Sequence, residues 1–266
     1  MKKTKWLFSF SAFVIVTIMS VQFATQNAEQ KYIEVSKGFS LPVGNYILLM
    51  RDIDVDCDGK DDKIYVYGEK SSEEAEYAEK INIALVYAKN GFVKKTNVSW
   101  VKGYVGDVEV QDFTSNKNKD VLLKVFSDEQ KSVLTGFIVD FGHDIPKSIF
   151  AGYTATYASM AFEDGFVVNC SLANGQQFAV NLANKKEILI QKGIFDETGR
   201  YLGKEKVYPK PFFELSAKDQ DGDLIGELCA SQKVISSVSE TELFIIDSVQ
   251  KYTNNKWMTS KIEVRY

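Results

Sequence analysis

An all-β fold, β-propeller-like with about four four-stranded blades, is predicted for this 266-residue chain on three observations. Short apolar or alternating runs recur after residue 30, separated by Gly, Asn, Asp and Lys clusters, the pattern of half-buried strands with polar turns. Aromatic residues are plentiful (18 Phe, 13 Tyr) and stand beside Val and Ile, a composition that suits pleated surfaces. A strand, acidic loop, strand order also repeats, with loops starting at Asp54, Asp112 and Asp219. The second interval is nearly twice the first, so a unit with a plain turn (Glu163, Asp164, Gly165) is expected between them. A β-sandwich with coincidental spacing is the alternative.

Residues 1–28 precede this body. Lys2, Lys3 and Lys5 form a basic start, and Trp6 to Val21 is apolar and uncharged, so the segment reads as a signal peptide or an uncleaved N-terminal anchor. The expected location is therefore outside the cell or on the outer face of its envelope. No cysteine follows the apolar run, which argues against a lipid anchor. Residues 29–266 are expected to form one propeller-like domain. "KYIEVS", Lys31 to Ser36, is a spare strand that could pair with the last sheet and close the ring.

Four strands are expected in each unit. The first unit takes 46–52, 63–67, 81–88 and 91–98, and the second takes 106–112, 121–126, 133–140 and 146–151. The third takes 156–162, 166–171, 176–182 and 186–192, and the fourth takes 211–218, 225–234, 241–251 and 256–265. Ser71 to Lys80 is polar and reads as a solvated loop or a single helical turn. The stretch 193–211 reads as an insertion between the last two units.

The acidic loops carry the chemistry. Counted from Asp54, carboxylates stand at positions one, three, five and nine (Asp54, Asp56, Asp58 and Asp62). Gly59 at position six permits a sharp turn, and Lys60 at position seven can offer its carbonyl. Hard cations take six to eight oxygens from alternate residues of such a loop, so the spacing fits calcium. An EF-hand is disfavoured, because position twelve is Tyr65 rather than a bidentate Glu and the flanks read as strands. The loop from Asp219 places Asp219, Asp221, Asp223 and Glu227 at one, three, five and nine, but Leu224 replaces glycine at six. The loop from Asp112 keeps only Asp112, Asn116 and Asp120, with Thr114 marginal, and reads as decayed and metal-free.

The pattern D-x-D-x-D-G-x-x-D between two strands resembles the FG-GAP and VCBS repeats, the calcium-binding blades of integrin-alpha-like β-propellers. That resemblance implies side-chain ligation by Asp54, Asp56, Asp58 and Asp62 and a backbone oxygen from Lys60. It implies one firm calcium site there and a doubtful one at Asp219, Asp221, Asp223 and Glu227.

No active site emerges. The one histidine, His143, stands in a loop before a proline turn, and no G-x-S-x-G elbow is present. Zinc would need clustered Cys and His, and no phosphate-binding glycine pattern occurs. Calcium held by a full set of oxygens leaves no position for substrate and activates water weakly, so a structural role is expected. The net charge of −4 does not suit a nucleic-acid or anionic-lipid surface. Three cysteines (Cys57, Cys170, Cys229) allow at most one internal bridge. Trp100, Trp257, Tyr104 and Tyr153 could line a sugar-binding face, but strand aromatics more often pack between sheets. The reading favours an exported, non-catalytic, calcium-binding module with a protein or glycan partner at the cell envelope, a secreted structure or a coat. A secreted carbohydrate-active hydrolase or lyase is the alternative.

Overall fold

Apolar alternation and glycine- or asparagine-rich turns produce seventeen strands in the computed structural model, which describes residues 32–98, 101–153, 157–172 and 175–266. The expected signal segment, 1–28, and Trp100 lie outside the described residues. The described residues divide into two compact units at Asn45/Tyr46.

In the first unit β1 (Tyr32–Ser36) pairs antiparallel with β2 (Phe39–Pro42) as a two-stranded sheet. The spare strand expected over Lys31 to Ser36 is described from Tyr32 on, where it pairs in a local hairpin. Gly38 at φ +85 turns the chain back within two residues, which makes the nearest strand the cheapest partner.

The rest falls into successive antiparallel groups. The first is β3 (Asn45–Ile53), β4 (Asp62–Glu69), β5 (Tyr77–Val86) and β6 (Val93–Asn97). The second is β7 (Gly103–Gln111), β8 (Asp120–Phe126), β9 (Leu134–Asp140) and β10 (Lys147–Gly152). The third has three strands, β11 (Tyr157–Glu163), β12 (Val167–Leu172) and β13 (Gln177–Asn181). The fourth is β14 (Val207–Lys218), β15 (Glu227–Ser236), β16 (Glu242–Thr253) and β17 (Lys256–Arg265).

Two expectations need correction. The expected strand over 186–192 is a helix, α1 (Lys186–Gln191), preceded by a 3₁₀ turn at Ala183–Lys185. The Asn181 side chain accepts the Ala183 N–H and starts the turn, and only Leu189 of the helix is buried. A short apolar run fits one helical turn as well as a strand, so periodicity could not decide. The insertion 193–211 likewise ends early, as a loop closed by a Phe195–Tyr201 bridge that runs into β14 at Val207.

The second correction concerns the architecture. Propeller blades are separate sheets arranged in a closed ring. Here the groups hydrogen-bond to one another: β5 reaches β7 through Tyr77–Tyr104 and Ala78–Gly103, and β14 reaches β9 through Phe212–Leu134. A single open twelve-stranded sheet results, in the order β17-β16-β15-β14-β9-β8-β7-β5-β4-β3, with β6 on β5 and β10 on β9. Neither this sheet nor the third group closes, so the all-β class holds and the four-bladed ring is not what these strands form. The joins have local causes. Gly103, at the β5 join, has no Cβ, and one there would stand 2.1 Å from the Phe126 carbonyl, so only glycine lets the start of β7 lie so close to the end of β8. Strand β14 bends at two register shifts between Pro209 and Glu214, where two prolines lack the N–H a regular ladder needs. Packed sheets, the sandwich-like alternative, accommodate this arrangement.

Three buried clusters hold the second unit together. One joins the first two groups around Ile64, Ile83, Leu123 and Phe137. Another joins the second and fourth around Phe113, Leu122, Phe212 and Leu228. The last joins the third and fourth around Val168, Leu189, Phe195 and Phe244. Trp257 belongs to this packing. Its indole N–H donates to the Ile149 carbonyl at 2.7 Å, and its ring meets Phe113, Phe150 and Tyr252 at 5.3–5.6 Å. Tyr104 meets Tyr77 edge-on, whereas Tyr153 is exposed.

Candidate functional site

The three acidic loops each connect the first two strands of a group, and all three are wound alike. In each, the aspartate at position one accepts two backbone N–H groups from the loop it opens. Asp54 takes those of Asp58 (3.1 Å) and Gly59 (3.0 Å). Asp112 takes those of Asn116 (3.2 Å) and Lys117 (2.8 Å). Asp219 takes those of Gly222 (2.7 Å) and Leu224 (3.0 Å). Positions four and six adopt positive φ in every loop: Cys57 and Gly59, Ser115 and Lys117, Gly222 and Leu224. Glycine at position six is therefore favoured but not required. The left-handed backbone is already held by the aspartate at position one, and Leu224 adopts it with its side chain in solvent.

Position nine braces the loop from below. Asp62, Asp120 and Glu227 are buried, and each accepts the N–H of the residue at position two, Val55, Phe113 or Gln220, at 2.7–3.0 Å. The loops also touch in series. Lys119 of the second donates its N–H to the Val55 carbonyl and its ammonium to the Asp54 carbonyl, both at 2.8 Å. Gly226 of the third donates to the Asp112 carbonyl at 2.7 Å.

The loops differ in which carboxylates converge. In the first, oxygens of Asp54, Asp56 and Asp58 lie within 4.8 Å of one another. Asp62 is not in that group. Its second oxygen accepts the Ala88 N–H at 2.9 Å, so both of its oxygens serve the backbone. Burial, with the charge of Asp56 adding to it, raises the Asp62 pKa against the lowering effect of these hydrogen bonds. Lys60, expected to supply a carbonyl, donates its N–H to Asp58. Among the described residues, Asp54, Asp56 and Asp58 form no ion pair. Three hard, anionic oxygen donors in a tight group are a suitable donor set for calcium.

In the third loop Asp219, Asp221 and Glu227 converge to the same tolerance. There the Lys251 ammonium stands 2.6 Å from Asp221, 3.0 Å from Asp223 and 3.0 Å from Glu227. The Ile225 N–H, and after it Lys251, hold the Asp223 pKa low.

In the second loop no such group of three forms among the described residues. Asp120 is fully buried, and its Oδ1 has no hydrogen-bond partner among the described residues. Burial, and after it the charge of Asp140, push the Asp120 carboxyl to about 8. Asp140 accepts from Gly142 (2.7 Å) and Asn116 (3.3 Å) and lies 3.2 Å from His143 Nε2. His143 is thus an exposed loop residue paired to a buried aspartate.

Register explains the difference. Stepping one residue beyond the pairs Lys63–Val86, Val121–Val139 and Leu228–Gln250 sets position nine of each loop opposite Tyr87, Asp140 and Lys251. One site in the repeat therefore carries a neutral phenol, a carboxylate or an ammonium. Burial, then the charge of Asp62, pushes the Tyr87 hydroxyl to about 12, so it stays neutral. Tyr87, Asp140 and Lys251 escaped the sequence reading because they lie on, or one residue past, the third strand of each group, far along the chain from the loops. Counting the register outward from position nine would have found them.

The cysteines are all free: Cys57 is exposed at the loop tip, Cys170 is buried and Cys229 is partly buried. Burial pushes the Cys170 thiol up to about 12. Cys57 stands at position four, where Ser115 and Gly222 stand in the other loops, and its φ of +59° turns the chain.

Residues 156–265, less than half of the chain, match the family described as YybI C-terminal domain. The matched stretch runs from β11 to β17 and includes the third acidic loop but not the first. This finding overturns the resemblance to FG-GAP and VCBS repeats: the family similarity of the chain lies elsewhere, and the loop spacing alone had suggested those repeats. Short loops built on alternate aspartates fit any strand connection that needs tight winding. No curated protein matches the chain.

Proposed function

We propose that the first acidic loop binds calcium through Asp54, Asp56 and Asp58, and that the ion braces a strand connection in an exported, non-catalytic module. The observation that carries the reading is the convergence of three carboxylates within 4.8 Å that form no ion pair with any basic side chain of the described residues, the Lys119 ammonium being held on the Asp54 carbonyl. Like charges so close repel, and a divalent cation removes that repulsion while filling the oxygen set. The basic and apolar start of the chain supports export, and calcium outside cells is abundant enough to fill a modest site. The module works at the cell envelope or in a secreted or coat structure, on a protein or glycan partner. The acidic charge argues against nucleic acid, and any membrane contact would be through the N-terminal segment.

Calcium should raise the melting temperature of the protein and EGTA should lower it. Asp56→Asn with Asp58→Asn keeps the acceptors for the Asp58 and Lys60 N–H groups while removing two charges. That double variant should abolish the calcium response. An unchanged response would exclude this loop as the site.

A further inference from the structure

The third loop carries the same winding as the first, yet a cation of the chain already sits among its carboxylates. We propose that Lys251 is the resident cation of the third loop: its ammonium takes the place a divalent ion would occupy and keeps that loop metal-free. An ammonium offers three donors and no acceptor, and the Lys251 head faces three carboxylates, those of Asp221, Asp223 and Glu227, at 2.6–3.0 Å. Glu227 is buried and its Oε2 is engaged by the Gln220 N–H, so Oε1 faces Lys251 as its counter-charge. Placement is set by the sheet rather than by the loop. Lys251 lies directly across from Glu227 in the β15–β16 register, on a strand whose pairing continues from Leu228–Gln250 through to Ile235–Glu242. A tethered ammonium gives up only side-chain rotamer freedom on entering and no translational freedom, whereas a divalent ion must displace it and leave it without partners. Charge also differs. One positive charge against the carboxylates of Asp219, Asp221, Asp223 and Glu227 leaves the loop anionic, so removing Lys251 should expose a set of oxygens ready for a divalent ion.

The inference stands apart from the calcium reading of the first loop and is tested in its absence. In the full chain carrying Asp56→Asn and Asp58→Asn, calcium binding is measured by equilibrium dialysis with and without Lys251→Met. Lys251→Met keeps the length and apolar stem of the side chain. The parent should bind no calcium at the third loop, and the added Lys251→Met should gain one equivalent that Asp221→Asn then removes. Lys251→Gln serves as a second variant should the methionine form not fold, with the same expected gain. The proposal is overturned if neither variant binds more calcium than its parent, or if the parent already binds an equivalent that Asp221→Asn abolishes. A failure of the first loop to bind calcium would appear separately, as no difference between the unsubstituted chain and the Asp56→Asn, Asp58→Asn parent.

Discussion

The first and third acidic loops share two winding hydrogen bonds, from position six to the aspartate at position one and from position two to the acid at position nine, and differ in the residue that faces them across the sheet. Tyr87 faces Asp62, and Lys251 faces Glu227. The first loop thus gathers carboxylates that form no ion pair with a described residue, its nearest ammonium, that of Lys119, being on the Asp54 carbonyl, and the third gathers them around an ammonium. The comparison teaches that the backbone of such a loop does not specify a metal. Aspartate at position one and a buried acid at position nine suffice to wind it, and the charge balance is decided by a residue on a different strand. The second loop is an intermediate case, because Asp140 adds a negative charge where Lys251 supplies a positive one.

The largest expected effect concerns that middle loop. The Asp120 pKa is raised in the folded protein from 3.8 to about 8. Between those values the folded state holds a proton that the unfolded chain has lost, so this contribution to stability is fully present below about pH 4 and is lost as pH rises to about 8. Chemical denaturation across that window should show stability falling by up to roughly 1 kcal/mol per pH unit, and Asp120→Asn should flatten the slope. Persistence of the slope in the variant would assign it to other groups.

Position nine should matter more for winding than for any metal. Asp62→Ala leaves the Val55 and Ala88 N–H groups without their acceptor, at a cost of about 2–4 kcal/mol in the presence of EGTA. Urea denaturation would reveal it, and a cost seen only when calcium is present would instead make Asp62 chiefly a ligand. The smallest effect lies at position six. Leu224 holds φ at +68° with its side chain 82% exposed, so Leu224→Gly removes left-handed strain while loosening the unfolded chain. A net gain of about 0.5–1 kcal/mol is expected, and Gly59→Ala should lose a similar amount. Equal and opposite shifts would show that the two loops share one backbone requirement.

Much of this architecture was legible in the sequence. Apolar runs such as "KIYVYG" and "VLLKVF" located β4 and β8, and the recurring acidic loops marked the first, second and fourth groups, each of four strands. Closure was not legible, because it depends on where β5 and β14 overrun their groups, and in β14 the irregularity is as local as Pro209 and Pro211. The helix over Lys186–Gln191 was hidden by an apolar run too short to show a period. At the site, Asp54, Asp56 and Asp58 were found by spacing. The role of Asp62 as a backbone brace was not, since a carboxylate that binds N–H groups and one that binds metal look alike in sequence. Lys251 follows Glu227 by two dozen residues and belongs to no motif. Only the register of β15 with β16 brings the two charges together.

On the proposed reading, one loop needs a cation from solution and the other brings its own. Counting the calcium ions bound by the full chain, before and after Asp56→Asn and Asp58→Asn, tests it most directly. The account predicts one equivalent bound by the unsubstituted protein and none by the double variant. Two equivalents in the unsubstituted protein, or an equivalent that survives in the double variant, would contradict it.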